Sequence, residues 1–295
     1  MRLINQSGRL MIDTGKGAVD VEQASHGQFH SDPQAVYGRW ADFVEWASTA
    51  TLTPTTEVVD AKLGAPVPRP GQVFAVGLNY ADHAAEADIA HPDAPVIFTK
   101  FPASIAGPYD TIEHPGGSLD FEVELVAVIG TSARDVAPAD GWQYVAGLTV
   151  GQDLSERELQ MRGPTPQFGL SKSFAGFSPI GPAVVTLDEF ADPSDIAVSS
   201  SLSGEEMQSS STRHLIFSIP VLVAYLSSFL ELRPGDLIFT GTPSGVGFTR
   251  DPKRLITTDD ELVSTAEGIG EMRHRFVSSA HPHPSTALPN AGHSA

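Results

Sequence analysis

The amino-acid sequence predicts a mainly β protein with helical additions, and three observations carry this reading. Short apolar runs recur at Val73–Val76, Val96–Thr99, Phe121–Ile129, Tyr144–Val150, Ala183–Thr186, Ile196–Ser200 and Leu237–Thr240. Helical periodicity is sparse by comparison. The 27 glycines in 295 residues supply the turns that many short strands need.

The elements follow in order. Residues 1 to about 50 alternate apolar runs with Gly, Asp and Ser, and read as a few strands with turns. A short helix near Gly38–Ala50 carries Trp40, Phe43 and Trp46 at spacing three, the pattern of a packed helix face. Thr53 to Gly71 contains Pro54, Pro66, Pro68 and Pro70, each lacking a backbone donor, and is a connector. The seven strand runs then begin. The clearest helix follows Ser218 as N-cap, with Pro220 in its first turn. Ile219, Leu222, Val223, Leu226 and Leu230 form its apolar stripe, and Pro234-Gly235 stops it. From about Ser278 the chain is Ser, His, Pro and Ala without periodicity, a mobile tail in which His281 and His283 are read as solvated.

Composition excludes several functions. Thirty-six acidic against 18 basic side chains give a formal charge of −18, which argues against nucleic-acid partners and anionic membranes. The chain has no cysteine, so disulfides, zinc–thiolate sites and thiol nucleophiles are out. The start does not read as a signal peptide, and Leu215–Leu230 is too short and interrupted to span a bilayer. The expected location is cytoplasmic.

Glu122 and Glu124 are the most informative residues. In a strand they share one face of the apolar segment Val123–Ile129. Buried there, two like charges repel and lose hydration, and a hard divalent cation relieves both costs. Asp153, after the run Tyr144–Val150, is a third candidate oxygen ligand. The wet face of an edge strand would suit the same pair. His83 and Glu86 are three apart, the spacing of an imidazole with an orienting carboxylate if the segment is helical, and equally of an idle surface pair. Lys172, in Ser171-Lys172-Ser173-Phe174, is an isolated loop lysine that could bind a carboxylate beside a metal. Gly241-Thr242-Pro243-Ser244-Gly245-Val246-Gly247 lacks the Lys-Ser/Thr end of a nucleotide loop, but its N–H groups and the Thr242 hydroxyl could hold a small carboxylate.

Taken in order, the motifs resemble the fumarylacetoacetate hydrolase family. They are Val76-Gly-Leu-Asn-Tyr-Ala-Asp-His83-Ala-Ala-Glu86, Asp120-Phe-Glu122-Val-Glu124-Leu, Gly151-Gln-Asp153 with Arg157 and Gln160, Ser171-Lys172-Ser173-Phe174, Ile216-Phe-Ser-Ile-Pro220, and Pro234 through Gly247. The resemblance divides the chain into a small N-terminal domain and connector (1–69), a catalytic domain (70–277) and a tail (278–295).

The resemblance implies a barrel-like β-roll, a homodimer, and one Mg²⁺ or Mn²⁺ per chain. It implies Glu122, Glu124 and Asp153 as metal ligands, and His83 with Glu86 as the water-activating dyad. Lys172 is implied as the charge that holds or polarises substrate, with Gln160, Thr242 and Arg157 as substrate contacts. Ser171 departs from the Gly common before that lysine. The implied substrate is a small 2-oxo acid. The implied reaction is hydrolysis of a C–C bond in an acylpyruvate or related β-diketo acid, giving pyruvate and a carboxylic acid. Decarboxylation of oxaloacetate or isomerisation of a hydroxydienedioate is the alternative, and a non-catalytic binding protein the remote one.

Overall fold

The computed structural model describes residues 1–82 and 91–280. His83, Glu86, His281 and His283 therefore lie outside the described residues, as does most of the expected tail.

Strands dominate, as the sequence predicts. They are β1 (Arg2–Gln6), β2 (Arg9–Asp13), β3 (Ala18–Asp20), β4 (Leu63–Gly64), β5 (Val73–Gly77), β6 (Val96–Thr99), β7 (Ile105–Ala106), β8 (Ile112–His114) and β9 (Leu119–Asp120). After these come β10 (Val123–Ile129), β11 (Val145–Gln152), β12 (Ser155–Glu156), β13 (Ser178–Val185), β14 (Ala197–Leu202), β15 (Glu205–Ser211), β16 (Leu237–Phe239), β17 (Glu261–Ala266) and β18 (Gly270–Ser278).

The large sheet has the order β3-β2-β1-β13-β11-β10-β16-β5-β6, with β4 on β1 and β7 on β13. It runs between two edges, β3 and β6, so the expected roll is an open sheet and not a closed barrel. A second sheet, β15-β14-β17-β18-β8, packs beside it, and β9 pairs with β12. The N-terminal strands are not set apart from the rest: β1 pairs antiparallel with β13, and Leu3, Leu10 and Ile12 share a core with Val126, Val128 and Phe239.

Both faces of β10 are covered, and every residue from Val123 to Ile129 is buried. A strand enclosed on both faces reads as a continuous apolar run, which is why only its N-terminal end carries charge. The helix expected near Gly38–Ala50 forms over Trp40–Thr49, with Phe43 fully buried between Phe29 and Trp46. The helix after Ser218 spans Ile219–Phe229. Ser218 occupies the N-cap position, but its hydroxyl makes no cap hydrogen bond, and Leu230 has already turned extended. No helix of the described residues is long and apolar enough to cross a membrane.

Candidate metal and active site

The site forms where β10 begins and β11 ends. Glu124 is the second residue of β10, Glu122 immediately precedes that strand, and Asp153 immediately follows β11. The antiparallel register pairs Val123 with Gln152 and Glu124 with Gly151, which brings the three carboxylates together. The Asp153 N–H donates to the Glu122 carbonyl at 2.9 Å, and the Glu122 N–H to Gln152 Oε1 at 2.9 Å, locking the corner. One oxygen from each carboxylate lies within 4.8 Å of the others. All three residues are buried, Glu124 and Asp153 almost completely. The wet-edge alternative for Glu122 and Glu124 is therefore excluded.

The surrounding donors are ordered. Arg157, in the one-turn helix Arg157–Gln160, donates to Glu122 Oε1 at 2.7 Å and, from Nε and Nη2, to Asp120 Oδ2 at 2.8 and 2.7 Å. Asp120 is in turn held by the N–H groups of Phe121 (2.9 Å), Gly247 (2.8 Å) and Phe248 (3.1 Å). Glu124 Oε2 accepts from the Gly241 N–H at 2.7 Å. Lys172 Nζ donates to Glu122 Oε2 at 2.8 Å and Asp153 Oδ2 at 2.7 Å. Lys100 Nζ donates to Asp153 Oδ1 and to the Lys172 carbonyl, with its side chain fully buried.

Two glycines make this possible. At Gly241, with φ +103°, an added Cβ would meet Asn79 Cβ at 2.7 Å. At Gly247 a Cβ would lie 2.0 Å from the Arg254 carbonyl oxygen. The loop that the sequence suggested as a cradle for a foreign carboxylate thus directs these N–H groups at the protein's own carboxylates.

Electrostatics follow from burial. Loss of hydration, then the charges of Asp153 and Glu122, pushes the Glu124 carboxyl well above the usual carboxylate range. Burial pulls the Lys100 ammonium below the usual lysine range, against the attraction of Asp153. Burial acts on Lys172 in the same direction, but Asp153 and Glu122 outweigh it and hold that ammonium above its ordinary value. The donor set is all oxygen and anionic, and Glu124 Oε1 receives no donor among the described residues. These residues fit a hard divalent cation.

The sequence-predicted residues fall into groups. Glu122, Glu124, Asp153, Lys172 and Arg157 meet at one point. Gln160 is at its edge, its Oε1 accepting from Arg157 Nη1 at 2.9 Å. The Thr242 hydroxyl donates to the Val123 carbonyl (2.9 Å) and accepts from Gln208 Nε2 (2.7 Å). The departure at Ser171 is accommodated, since its buried hydroxyl donates to the Gln167 carbonyl at 2.6 Å. Sequence reasoning missed Lys100 and gave Asp120 no role. It also missed Tyr80, which is fully buried with its hydroxyl unpartnered among the described residues. Lys100 directly follows β6, a position at which a lysine is ordinarily solvated.

Comparison with known proteins places the chain in a family. Residues 72–277 match the family described as fumarylacetoacetate (FAA) hydrolase C-terminal. The structure of a provisionally named HpcE protein from Mycobacterium smegmatis is similar at TM-score 0.91 and 54% identity, covering 95% of this chain and 100% of that one. The mitochondrial oxaloacetate tautomerase Fahd2a of Rattus norvegicus is 44% identical over 233 residues, 78% of this chain and 73% of the rat protein. Maleylpyruvate hydrolase from Sphingobium sp. SYK-6, solved with manganese(II) and pyruvate, matches at TM-score 0.73 and 26% identity, covering 95% of this chain and 100% of that one. The match over residues 72–277 and the 44% identity to the rat protein make the chain an enzyme of the fumarylacetoacetate hydrolase family.

Proposed function

We propose that this enzyme uses one Mg²⁺ or Mn²⁺ to act on a small 2-oxo acid, and that its reaction is proton transfer at the carbon beside the 2-oxo group. Enol–keto interconversion of a 2-oxo dicarboxylate such as oxaloacetate is the concrete form. The observation that carries the metal-dependent part is the buried triad Glu122, Glu124 and Asp153 within 4.8 Å, with Lys172 against two of its members. The 44% identity to an oxaloacetate tautomerase supports the choice of reaction.

When bound, the cation polarises the 2-oxo group and offsets the 1-carboxylate charge. Glu122, Glu124 and Asp153 would hold it. Lys172 supplies positive charge beside the ligands, which a chain of −18 needs where an anion docks. Arg157, committed to Asp120 and Glu122, orients the Glu122 carboxylate. His83 with Glu86 is the proposed proton carrier. Gln160 and Thr242 remain proposed substrate contacts.

Acylpyruvate hydrolysis is the second reading, supported by the maleylpyruvate hydrolase likeness. It breaks the C3–C4 bond, with hydroxyl from an activated water going to C4 and a proton to C3. The deciding experiment follows oxaloacetate, acetylpyruvate and fumarylpyruvate with Mg²⁺ and Mn²⁺ by ultraviolet absorbance and product analysis. Enol decay of oxaloacetate without release of CO₂ or pyruvate is the expected result. Release of pyruvate and a carboxylic acid from an acylpyruvate selects the second reading. Metal-independent rates, or none, refute both.

A further inference from the structure

We infer that Lys253 is a specificity residue, a cation at the mouth of the carboxylate corner that recognises the distal carboxylate of a 2-oxo diacid. The inference rests on the metal-dependent 2-oxo acid reading above and names the end of the substrate that this side chain takes.

The corner meets solvent on one flank. Asp153 and Glu124 are 0% and 1% exposed, whereas Glu122 and Arg157 keep 8% and 7%. A substrate therefore arrives over Glu122 and Arg157. Phe248 borders that flank. Its N–H donates to Asp120 Oδ2, and its ring centroid is 5.9 Å from Arg157 Cζ. Lys253 Nζ lies over the same ring, 3.6 Å from the centroid. The shared ring thus keeps the Lys253 ammonium and the Arg157 guanidinium within about 10 Å, a distance that physiological salt does not fully screen.

The charge of Lys253 is not spent elsewhere. Arg157 is tied to Asp120 and Glu122, Arg254 to Asp260 at 2.6 Å, and Arg250 to the carbonyls of Gly245 and Met207. Lys253 is exposed and makes no ion pair or hydrogen bond among the described residues; the Phe248 ring is its partner. A cation–π contact at an exposed site is weaker than a charge-assisted hydrogen bond to a carboxylate, so the ring places the ammonium without committing it. In a chain of −18, an uncommitted cation beside the entry flank is where the local field favours an anion. Lys172, enclosed between Glu122 and Asp153, serves the inner end of the substrate. With the 1-carboxylate and 2-oxo group at the corner, a second carboxylate a few carbons along points back toward the open flank. A monoacid presents only a methyl there.

The probes are 2-oxopentanedioate and 2-oxopentanoate, which differ only in a distal carboxylate in place of a methyl. Each is titrated by calorimetry into the Mn²⁺-loaded full chain at about 0.15 M salt. The wild type should prefer the diacid by about fivefold or more. Lys253→Met should lose most of that preference while its affinity for the monoacid stays within about twofold of wild type. Lys16→Met removes the same charge from the turn between β2 and β3, where β2 is four strands from β10, about 19 Å, and beyond the screening length. It should keep the wild-type preference. An undiminished preference in Lys253→Met, equal losses in both methionine variants, or a wild type indifferent to the distal group overturns the inference. Binding of neither acid in the presence of Mn²⁺ overturns the 2-oxo acid reading beneath it, and the inference with it.

Discussion

Replacing His274 with Gln should remove about 3 kcal/mol of acid sensitivity from the fold. His274 is on β18, fully buried, and its Nε2–H donates to the Gly107 carbonyl at 3.1 Å. Its Nδ1 has no partner among the described residues. Burial lowers the imidazole pKa from 6.5 to about 4, only partly opposed by the Gly107 hydrogen bond and by Asp110. The unfolded chain therefore takes up the proton near pH 6.5, while the native state refuses it until about pH 4. Stability from this group is complete above pH 6.5 and is lost as pH falls toward 4. The gap between the two pKa values, about 2.5 units at ~1.4 kcal/mol each, gives about 3 kcal/mol.

The assay is urea unfolding of wild type and His274→Gln, both metal-free, in steps from pH 7 to pH 4. Glutamine keeps a donor for Gly107 and has nothing to titrate. Glu124 works in the opposite direction, because its raised pKa lets the native state take a proton first and gain stability on acidification. Groups common to both proteins cancel in the difference. Wild type should lose about 3 kcal/mol more than the variant across this window. A difference that stays within about 0.5 kcal/mol, near the precision of such extrapolations, would show that Nδ1 has water or an acceptor and would refute the reasoning.

Three further outcomes are expected. Glu124→Ala should abolish metal-dependent turnover and lower Mn²⁺ affinity at least about tenfold by calorimetry, since it removes one of the three proposed ligands; wild-type affinity would disqualify Glu124. Asp120→Ala leaves Arg157 on Glu122 but deprives its Nε and the N–H groups of Phe121, Gly247 and Phe248 of their acceptor, and should cost about 3–5 kcal/mol in chemical denaturation, whereas a loss under ~1 kcal/mol would mean that water replaces Asp120. Lys172→Met should reduce kcat/KM for a 2-oxo acid about tenfold or more while the variant still binds Mn²⁺; unchanged kinetics would place the acid elsewhere.

The strand pattern and the pairing of Glu122 with Glu124 were legible because their signals are local. Glu122 and Glu124 are two residues apart, and alternation puts them on one face whatever the rest of the chain does. The run Val96–Thr99 appears as a strand with those very bounds. Glu205–Ser211 was missed because serine and glutamate carry little strand signal, and it forms against β14. β18 did alternate, with Met272, His274 and Phe276 inward, but Arg273 and Arg275 between them masked the pattern. The role of Lys100 could not be read at all. A lysine at a strand end is ordinarily solvated, and only the fold brings it to a carboxylate 53 residues away. The same holds for the Gly-rich loop, whose donors were legible and whose acceptors, Glu124 and Asp120, were not.

The distances along the chain between the members of this corner have a kinetic consequence. Lys172 reaches Glu122 across 50 residues, Gly241 reaches Glu124 across 117, and Gly247 reaches Asp120 across 127. No hairpin or single helix contains the set, so it exists only once β10, β11 and β16 have all docked. A cation that recognises the finished corner has little to hold in the folding transition state, where such long loops are still closing. Mn²⁺ should then leave the refolding rate nearly unchanged and slow unfolding, as stopped-flow chevrons with and without metal would show. The ion would act as a lock on the native state rather than as a guide toward it.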